Sequence, residues 1–323
     1  ATSGIPASVI RSEFSRLEAE VVARASINSH WEALAGLNLR DLEGSNEGFL
    51  DFGFPVPAGF RLEQSVAAVF AELRGQWSSW HVNLGVRLDD PDEFGQESSS
   101  RISASYQHSE TWSTFASYSE GYKLPSFFAL AHPLVGNPDL QPERSENAEA
   151  GIRVTVSDAL AVEATWFRNE FSDLVDFDNA LFTNVNRSSV LAQGAEVRAE
   201  IDITDWLTAS ADAMYLSTDI RDSDDRLRRR PRWSGAMHLR ATLDAFSANL
   251  SVDSRGNFND SSVPTGPIRL DGFNTVNAAA TWQVGARLSL IAAVDNLLDD
   301  LREEAVGFTD TGRQWRVGVR YRL

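Results

Sequence analysis

The sequence predicts an all-β protein, a transmembrane antiparallel up-and-down β-barrel of about 15 strands. Three observations predict it. Apolar and polar residues alternate with period two from end to end of the 323 residues. The alternating segments run about 11 to 17 residues, against roughly 5 to 6 for a usual strand and about 9 to 11 for a membrane-crossing one. The connections between them are alternately tiny and long, which is the loop sorting of an outer-membrane barrel.

The strands are read, in order, at 11–27, 30–43, 60–74, 77–90, 98–108, 111–122, 144–157, 159–172, 189–203, 206–219, 230–243, 246–258, 271–284, 287–298 and 312–323. In the first, Leu17, Ala19, Val21, Ala23, Ala25 and Ile27 oppose Glu18, Glu20, Arg24 and Ser26, with Val22 the exception. In the seventh, Ala148, Ala150, Ile152, Val154 and Val156 oppose Glu149, Gly151, Arg153 and Thr155. In the ninth, Ala195, Val197, Ala199, Ile201 and Ile203 oppose Glu196, Arg198, Glu200 and Asp202. The last sets Trp315, Val317, Val319, Tyr321 and Leu323 against Arg316, Gly318, Arg320 and Arg322. Such strands separate an apolar phase from a wet one. A soluble sandwich shows the same alternation, so segment length and loop sorting decide.

Tight turns fall at Asn28–Ser29, Gly75–Gln76, Ser157–Asp158, Thr204–Asp205 and Leu243–Ala245. The long connections are 44–59, 123–143, 173–188, 220–229, 259–270 and 299–311. Trp31, Trp77, Trp206 and Trp282 stand beside short turns, as an interfacial girdle would. Ordinary core packing is the alternative. An odd strand count puts the two chain ends on opposite sides of the membrane, so the count implies a barrel portion with its N-terminal part elsewhere. The domain expected over 1–323 is thus the C-terminal portion of a barrel.

The formal net charge of −17 argues against nucleic acid, which needs a basic face. Without cysteine there are no disulfides, thiolate nucleophiles or sulfur metal sites. No apolar run approaches a membrane helix. The five histidines, His30, His81, His108, His132 and His238, show no ligand spacing, and there is no nucleophile elbow or P-loop. A non-enzyme is expected. A barrel hydrolase would need only Ser, His and a carboxylate close in space.

Several stretches in and beside the long connections draw attention. Asp173, Asp176 and Asp178 offer oxygen ligands that could hold Ca²⁺, as do Asp222, Asp224 and Asp225, or else they are solvated loop charge. The run Arg226–Arg232, with Arg228, Arg229 and Arg230 at its centre, suits lipopolysaccharide phosphates or an anionic ligand, or else a rim cluster paired with neighbouring aspartates. Phe52, Phe54, Phe127 and Phe128 form an apolar catching surface for a bulky ligand, or else pack the loops together. In GNPDLQPERS (136–145), Pro138 and Pro142 bias Asn137 and Gln141 towards extended backbone and stiffen the return to the membrane.

That last stretch carries a resemblance. Residues 115–152, FASYSEGYKLPSFFALAHPLVGNPDLQPERSENAEAGI, resemble the segment of TonB-dependent outer-membrane receptors where a strand rises to a loop and returns through an NPxLxPExS motif. VLAQGAEVRAEIDITDWL (190–207) is similar to their recurrent GxE strand, and VDNLLDDLREEAVGFTDTGRQWRVGVRYRL (294–323) resembles their C-terminus. The order, with GFTDTGRQW, is nearest the cobalamin-transporter branch. The resemblance implies structural motif positions at Gly136, Asn137, Pro138, Leu140, Pro142, Glu143, Asn296, Leu297, Gly312 and Arg313. It implies a barrel of about 22 strands, hence about seven strands and a plug domain lying outside this sequence. It further implies active uptake of a scarce bulky nutrient, a ferric siderophore or a cobalamin-like corrinoid, without covalent chemistry or a cofactor. The implied partners are outer-membrane lipid and lipopolysaccharide, the small-molecule nutrient, the TonB complex through an N-terminal region, and the barrel-assembly machinery. A plugless pore or structural barrel is the alternative. Leu323 departs from the family's usual terminal aromatic residue.

Overall fold

The computed structural model describes residues 7–178, 180–221, 226–262 and 265–322. From the N-terminus the strands are β1 (Ala7–Ser26), β2 (Trp31–Asp51), β3 (Pro55–Pro57), β4 (Phe60–Trp77), β5 (Trp80–Pro91), β6 (Glu97–Gln107) and β7 (Trp112–Lys123). A short helix α1 (Phe127–Ala131) follows. Then come β8 (Glu143–Ser157), β9 (Leu160–Asp178), β10 (Thr183–Thr204), β11 (Leu207–Ile220), β12 (Trp233–Leu243) and β13 (Phe246–Arg255). The chain ends with β14 (Phe258–Ser262), β15 (Gly266–Leu270), β16 (Phe273–Gln283), β17 (Leu288–Asp295), β18 (Glu303–Ala305), β19 (Phe308–Thr309) and β20 (Gln314–Tyr321).

All but four of these strands make one sixteen-stranded sheet, ordered β1-β2-β4-β5-β6-β7-β8-β9-β10-β11-β12-β13-β16-β17-β20, with β3 hung on β2. The fifteen strands on that path answer to the fifteen read from the sequence. Each pairs antiparallel with its neighbour along the chain, and β1 and β20 are each paired on one side only. The hairpins β14–β15 and β18–β19 stand apart in the long outer connections.

Register carries the greasy face unbroken from strand to strand. Ala199 stands opposite Ala211, Ala211 opposite Met237, Met237 opposite Val252, and Val252 opposite Val276. The opposite face carries alternating charge: Arg153 opposite Glu163, Glu163 opposite Arg198, Arg198 opposite Asp212. A slip of one residue would swap the two faces, so burial of one in lipid fixes the pairing. Nothing among the described residues covers the greasy face: Leu17 and Val21 are 71% exposed and Val317 is 88% exposed. A sandwich would bury these side chains against a second sheet. Here hydrocarbon is the covering phase.

Aromatic residues mark both edges of that phase. At the short-turn end Trp31 meets Trp77 edge-on at 4.6 Å, Trp80 meets Tyr106 at 4.7 Å, and His108 stacks on Trp112 at 3.6 Å. Trp206, Phe246 and Trp282 lie at the same end. The far edge is marked by Trp166, Tyr215, Trp233 and Trp315, a second girdle that turn positions alone did not reveal. Tyr215 packs on Trp233 at 4.8 Å. On β12 the belt from Trp233 to Leu243 is 11 residues long, the length a tilted membrane strand needs.

The lumen wall has a recurrent device. Gly36 pairs with Phe70 and Gly151 with Phe115, and each ring lies over its glycine, where a Cβ would come within 2.3 or 2.4 Å of it. Arginine stacks above each ring, Arg87 on Phe70 at 5.6 Å and Arg153 on Phe115 at 4.3 Å. The pairing shields backbone that glycine leaves bare.

The structure revises the outer connections. β2 continues to Asp51, and the β9–β10 ladder continues to Asp178 opposite Thr183, through residues read as loop at 44–59 and 173–188. The expected breaks lie where the outer face stops being apolar. Above the membrane neither face has to be apolar, and the hydrogen-bond ladder runs on.

Candidate functional site

The outer ends of the strands carry a continuous belt of polar contacts, and it begins at the proline-rich motif. Ser126 caps α1 by accepting from the Ala129 N–H at 3.1 Å. The helix ends at His132, whose carbonyl accepts from the Gly136 N–H at 2.7 Å. A Cβ on Gly136 would sit 2.5 Å from the His132 backbone N, so only glycine fits this close return. Burial holds the His132 imidazole below its ordinary pKa, and its Nδ1 accepts from the Leu134 N–H at 3.3 Å. Leu140 and Pro142 are fully buried under the loop.

Two asparagines of β10 clamp this loop. Asn184 donates to the Val135 carbonyl from both its backbone N–H, at 3.0 Å, and its Nδ2, at 2.7 Å. Asn137 donates from Nδ2 to the Asn184 carbonyl at 3.0 Å. Asn186 accepts from the Gln141 N–H at 2.9 Å and donates to the carbonyls of Gln141 at 3.0 Å and Asp173 at 2.6 Å. Glu143 accepts from the Val175 N–H at 2.8 Å and pairs with Lys123 at 2.9 Å. Arg144 makes a two-pronged contact with the buried Glu97, at 2.5 and 3.1 Å. These contacts hold the loop to the wall.

The belt continues through arginine. Asp176 pairs with Arg187 at 3.1 Å and Arg228 at 2.6 Å. Arg229 pairs with Asp260 at 3.3 Å, and its backbone N–H donates to the Asn259 carbonyl at 2.7 Å. Asp260 also accepts from the Val306 N–H at 2.9 Å, which ties in the next loop. There Arg302 pairs with Asp310 at 2.8 Å and stacks on Phe273 at 4.9 Å. Phe273, Phe258, Leu270 and Val306 form a small apolar cluster beneath. Last, Asn296, at φ 52°, closes a turn through Asp300. Asp299 accepts from the Arg313 N–H at 2.8 Å beside Gly312, and Arg313 donates to the Leu297 carbonyl at 3.2 Å.

Asp260 yields a pH expectation. Burial pushes its carboxyl up, but the Val306 and Ser261 N–H groups and Arg229 together pull it below its ordinary value. A carboxylate lowered in the folded state stabilises above its unfolded pKa, and that stabilisation is lost as pH falls through the folded pKa. The docking of 226–232 and 299–311 on β14–β15 is expected to persist through the ordinary carboxylate range and loosen below it. Pepsin cleavage of these loops in outer membranes, followed from pH 5 down to pH 2, reads this out. Asp260→Asn should raise cleavage already at pH 5.

Two cavities open along the belt. One, of about 720 Å³, lies under α1 against the lumen wall and is lined by Phe14, Arg40, Arg87, Asp89, Tyr122 and Phe127, among others. Phe127 packs over Gly44 and lies 5.9 Å from Phe14. The other, of about 660 Å³, lies between the β9–β10 extension, the 226–230 segment and the β14–β15 hairpin.

The candidate site residues divide between these places. Phe128 leans on His132 at 4.6 Å and is half-exposed, whereas Phe52 and Phe54 stand exposed at the tip of the β2–β3 hairpin. No aromatic contact joins the two pairs among the described residues, and each stands on its own loop. Arg228, Arg229 and Arg230 line the second cavity together. The three aspartates do not converge. Asp173 pairs with Arg144 at 3.4 Å, Asp176 with two arginines, and Asp178 accepts from the Ala180 and Leu181 N–H groups. Among the described residues no group of three or more possible metal ligands comes together. Asp222, Asp224 and Asp225 lie outside the described residues, as does Leu323. Asn184, Asn186, Glu97 and Asp260 were not singled out in the sequence. The only local signal was Asn-Val-Asn at 184–186, two amides on one face.

The sequence and fold can now be set beside known proteins. Residues 10–297 match the family described as TonB dependent receptor-like, beta-barrel. The chain belongs to this family. It is 25% identical over 310 residues, 94% of its length, to a Vitamin B12 transporter BtuB of Vibrio cholerae serotype O1, of which it covers 48%. Among solved structures, the Copper transporter OprC superposes with a TM-score of 0.81 at 16% identity over 97% of this chain and 56% of that one. The ferric enterobactin receptor PfeA of Pseudomonas aeruginosa gives 0.80 at 18% identity, over 96% and 54%. The chain thus spans about half the length of the relatives it matches. It is a TonB-dependent receptor barrel chain of a Gram-negative outer membrane, with short turns at one rim and the polar belt at the other.

Proposed function

We propose that this TonB-dependent receptor barrel takes up a scarce, bulky nutrient across the outer membrane, a ferric siderophore or a cobalamin-like corrinoid. The belt of stapled outer loops around two cavities, each sized for a small molecule, supports this reading most. The extracellular mouth captures the nutrient, and the charge-lined lumen wall is the surface along which it passes. Work from the TonB complex, delivered through a plug region outside this chain, admits it. The chain is a wall and a receptor, with binding and release in place of bond chemistry. Its relatives' names are those of transporters and receptors.

Accumulation tests it. Cells carrying the protein at its natural locus should accumulate a radiolabelled ferric siderophore or cyanocobalamin above the external concentration, and an uncoupler should stop this. Equal entry with and without the uncoupler would fit a plugless pore instead and would overturn the reading.

A further inference from the structure

His132, where α1 ends, is a titratable side chain that is only 5% exposed and takes no part in the ion pairs of the belt among the described residues. The backbone around it closes on itself. The Phe128 carbonyl accepts from the His132 N–H at 3.1 Å, the His132 carbonyl from the Gly136 N–H at 2.7 Å, and the Ala129 carbonyl from the Asn137 N–H at 2.8 Å. The imidazole lies 4.6 Å from the Phe128 ring, and its Nδ1 accepts from the Leu134 N–H at 3.3 Å. An Nδ1 that accepts carries no proton, so the ring is neutral with its hydrogen on Nε2. Protonation sets a second N–H against the Leu134 N–H, two donors head to head, and buries a cation without a partner.

This turn joins two parts of the mouth. On one side it presents Val135, whose carbonyl accepts from the Asn184 N–H at 3.0 Å, from Asn184 Nδ2 at 2.7 Å and from Thr183 Oγ1 at 3.3 Å. On the other side α1 packs on β4 and carries Phe127 over Gly44, above the wall cavity of about 720 Å³. One neutral ring therefore sits between the clamp on β10 and the helix that covers the cavity.

The surrounding elements bring charge near it but not onto it. Beside α1, Lys123 and Glu143 pair with each other at 2.9 Å, and Asp139 lies on the return. On β4, Arg61 and Glu63 alternate with the neutral Gln64, which lines the cavity with Arg40, Arg87 and Asp89. On the β9–β10 extension Arg187 pairs with Asp176, and Asp178 accepts from its own turn. None of these acts on the ring: burial alone lowers its pKa.

We propose that His132 is an acid-sensitive latch: its neutral ring holds α1 closed over the wall cavity and tied to the β10 clamp, and taking up a proton frees both, so that access to this cavity follows external pH. The direction follows from burial. The buried ring binds a proton less readily than the unfolded one, so the latch is intact above about pH 6.5, the ordinary imidazole value, and weakens as the pH falls below it. Carboxylates titrate around pH 4, so the interval from pH 7.5 to pH 5 reports the imidazole apart from them.

Hydrogen exchange of the complete receptor in outer membranes tests the latch. Protection factors of the Leu134, Gly136 and Asn137 amides, corrected for the intrinsic pH dependence of exchange, are compared at pH 7.5, 6 and 5. Protection is expected to fall by about fivefold or more by pH 5, while the amides of Val197 to Ala199 on β10 keep theirs. His132→Asn sets near Nδ1 an acceptor that takes no proton, and His132→Gln is a second neutral replacement. Either should hold protection within twofold over the same interval. Heat-modifiable migration checks that each variant is folded, and one folded variant suffices for the comparison. Protection that stays within twofold in the unmodified receptor overturns the latch, and that result needs no variant. So does a fall that starts only below pH 4.5, which belongs to carboxylates, or an equal fall in the unmodified and the substituted receptor.

Discussion

Produced as these 323 residues alone and refolded into detergent or lipid, the chain is expected to give no heat-modifiable, protease-resistant barrel. The reason is the two open edges. β1 and β20 each carry a row of N–H and C=O groups with no partner strand among the described residues. β1 alone is 20 residues long. Water can satisfy such groups, but hydrocarbon cannot, and each unsatisfied group there costs several kcal/mol. The sum over one membrane-spanning edge exceeds the whole stability of an ordinary folded domain, about 5 to 15 kcal/mol. Aggregation through the edges, or an unfolded band on semi-native gels, is the expected outcome. A compact, trypsin-resistant band that shifts on boiling would show that β1 and β20 can close on each other.

Asn186→Ala should release the 136–142 segment from the wall. One side chain there satisfies three backbone groups: the Gln141 N–H and the carbonyls of Gln141 and Asp173. Two of the three bonds are exposed and one is half-buried, and a typical hydrogen bond contributes about 1 kcal/mol net. The change is thus expected to loosen the loop by about 2 kcal/mol locally while leaving the membrane-embedded ladder intact. Hydrogen exchange of the amides between Gly136 and Pro142 in outer membranes should speed up by at least about tenfold. Asn186→Asp keeps an acceptor for Gln141 and loses both donated bonds, so it should fall between the two. Unchanged exchange in Asn186→Ala would mean that the prolines and the burial of Leu140 hold the loop without the clamp.

The membrane wall was legible in the sequence and the mouth was not, for a physical reason. Within the hydrocarbon, each residue's environment is set by which face it occupies, so Ala199 and Arg198 announce their places by type alone. The wall pattern is therefore local and repeats every second residue. Above the membrane both faces are wet, and Leu174 and Val175 follow each other without a telling alternation. Contacts there join residues far apart in sequence. Asn186 meets Gln141 across 45 positions, Asp260 meets Val306 across 46, and Arg228 meets Asp176 across 52. No spacing rule reports such meetings. Composition did flag the arginine run and the proline motif. It could not separate the staples, Arg228 and Arg229, from Arg230, which lines the cavity and has no carboxylate partner among the described residues. The aspartates 173, 176 and 178 show the converse. Their spacing suggested one cluster, but strand geometry and three different partners send them apart.

The central claim is that alternate residues of these strands face lipid and lumen, with the tight turns and the belt on opposite sides of the membrane. These 323 residues contain no cysteine, which suits them to single-site labelling. Single cysteines would be placed in turn from Glu196 to Ile201 on β10 of the complete protein, spin-labelled, and tested for collision with oxygen and with a polar nickel chelate. Oxygen accessibility should peak at Val197, Ala199 and Ile201, and nickel accessibility at Glu196, Arg198 and Glu200, in strict period two. Equal access of the polar reagent to both sets, or a period near 3.6, would contradict the barrel account.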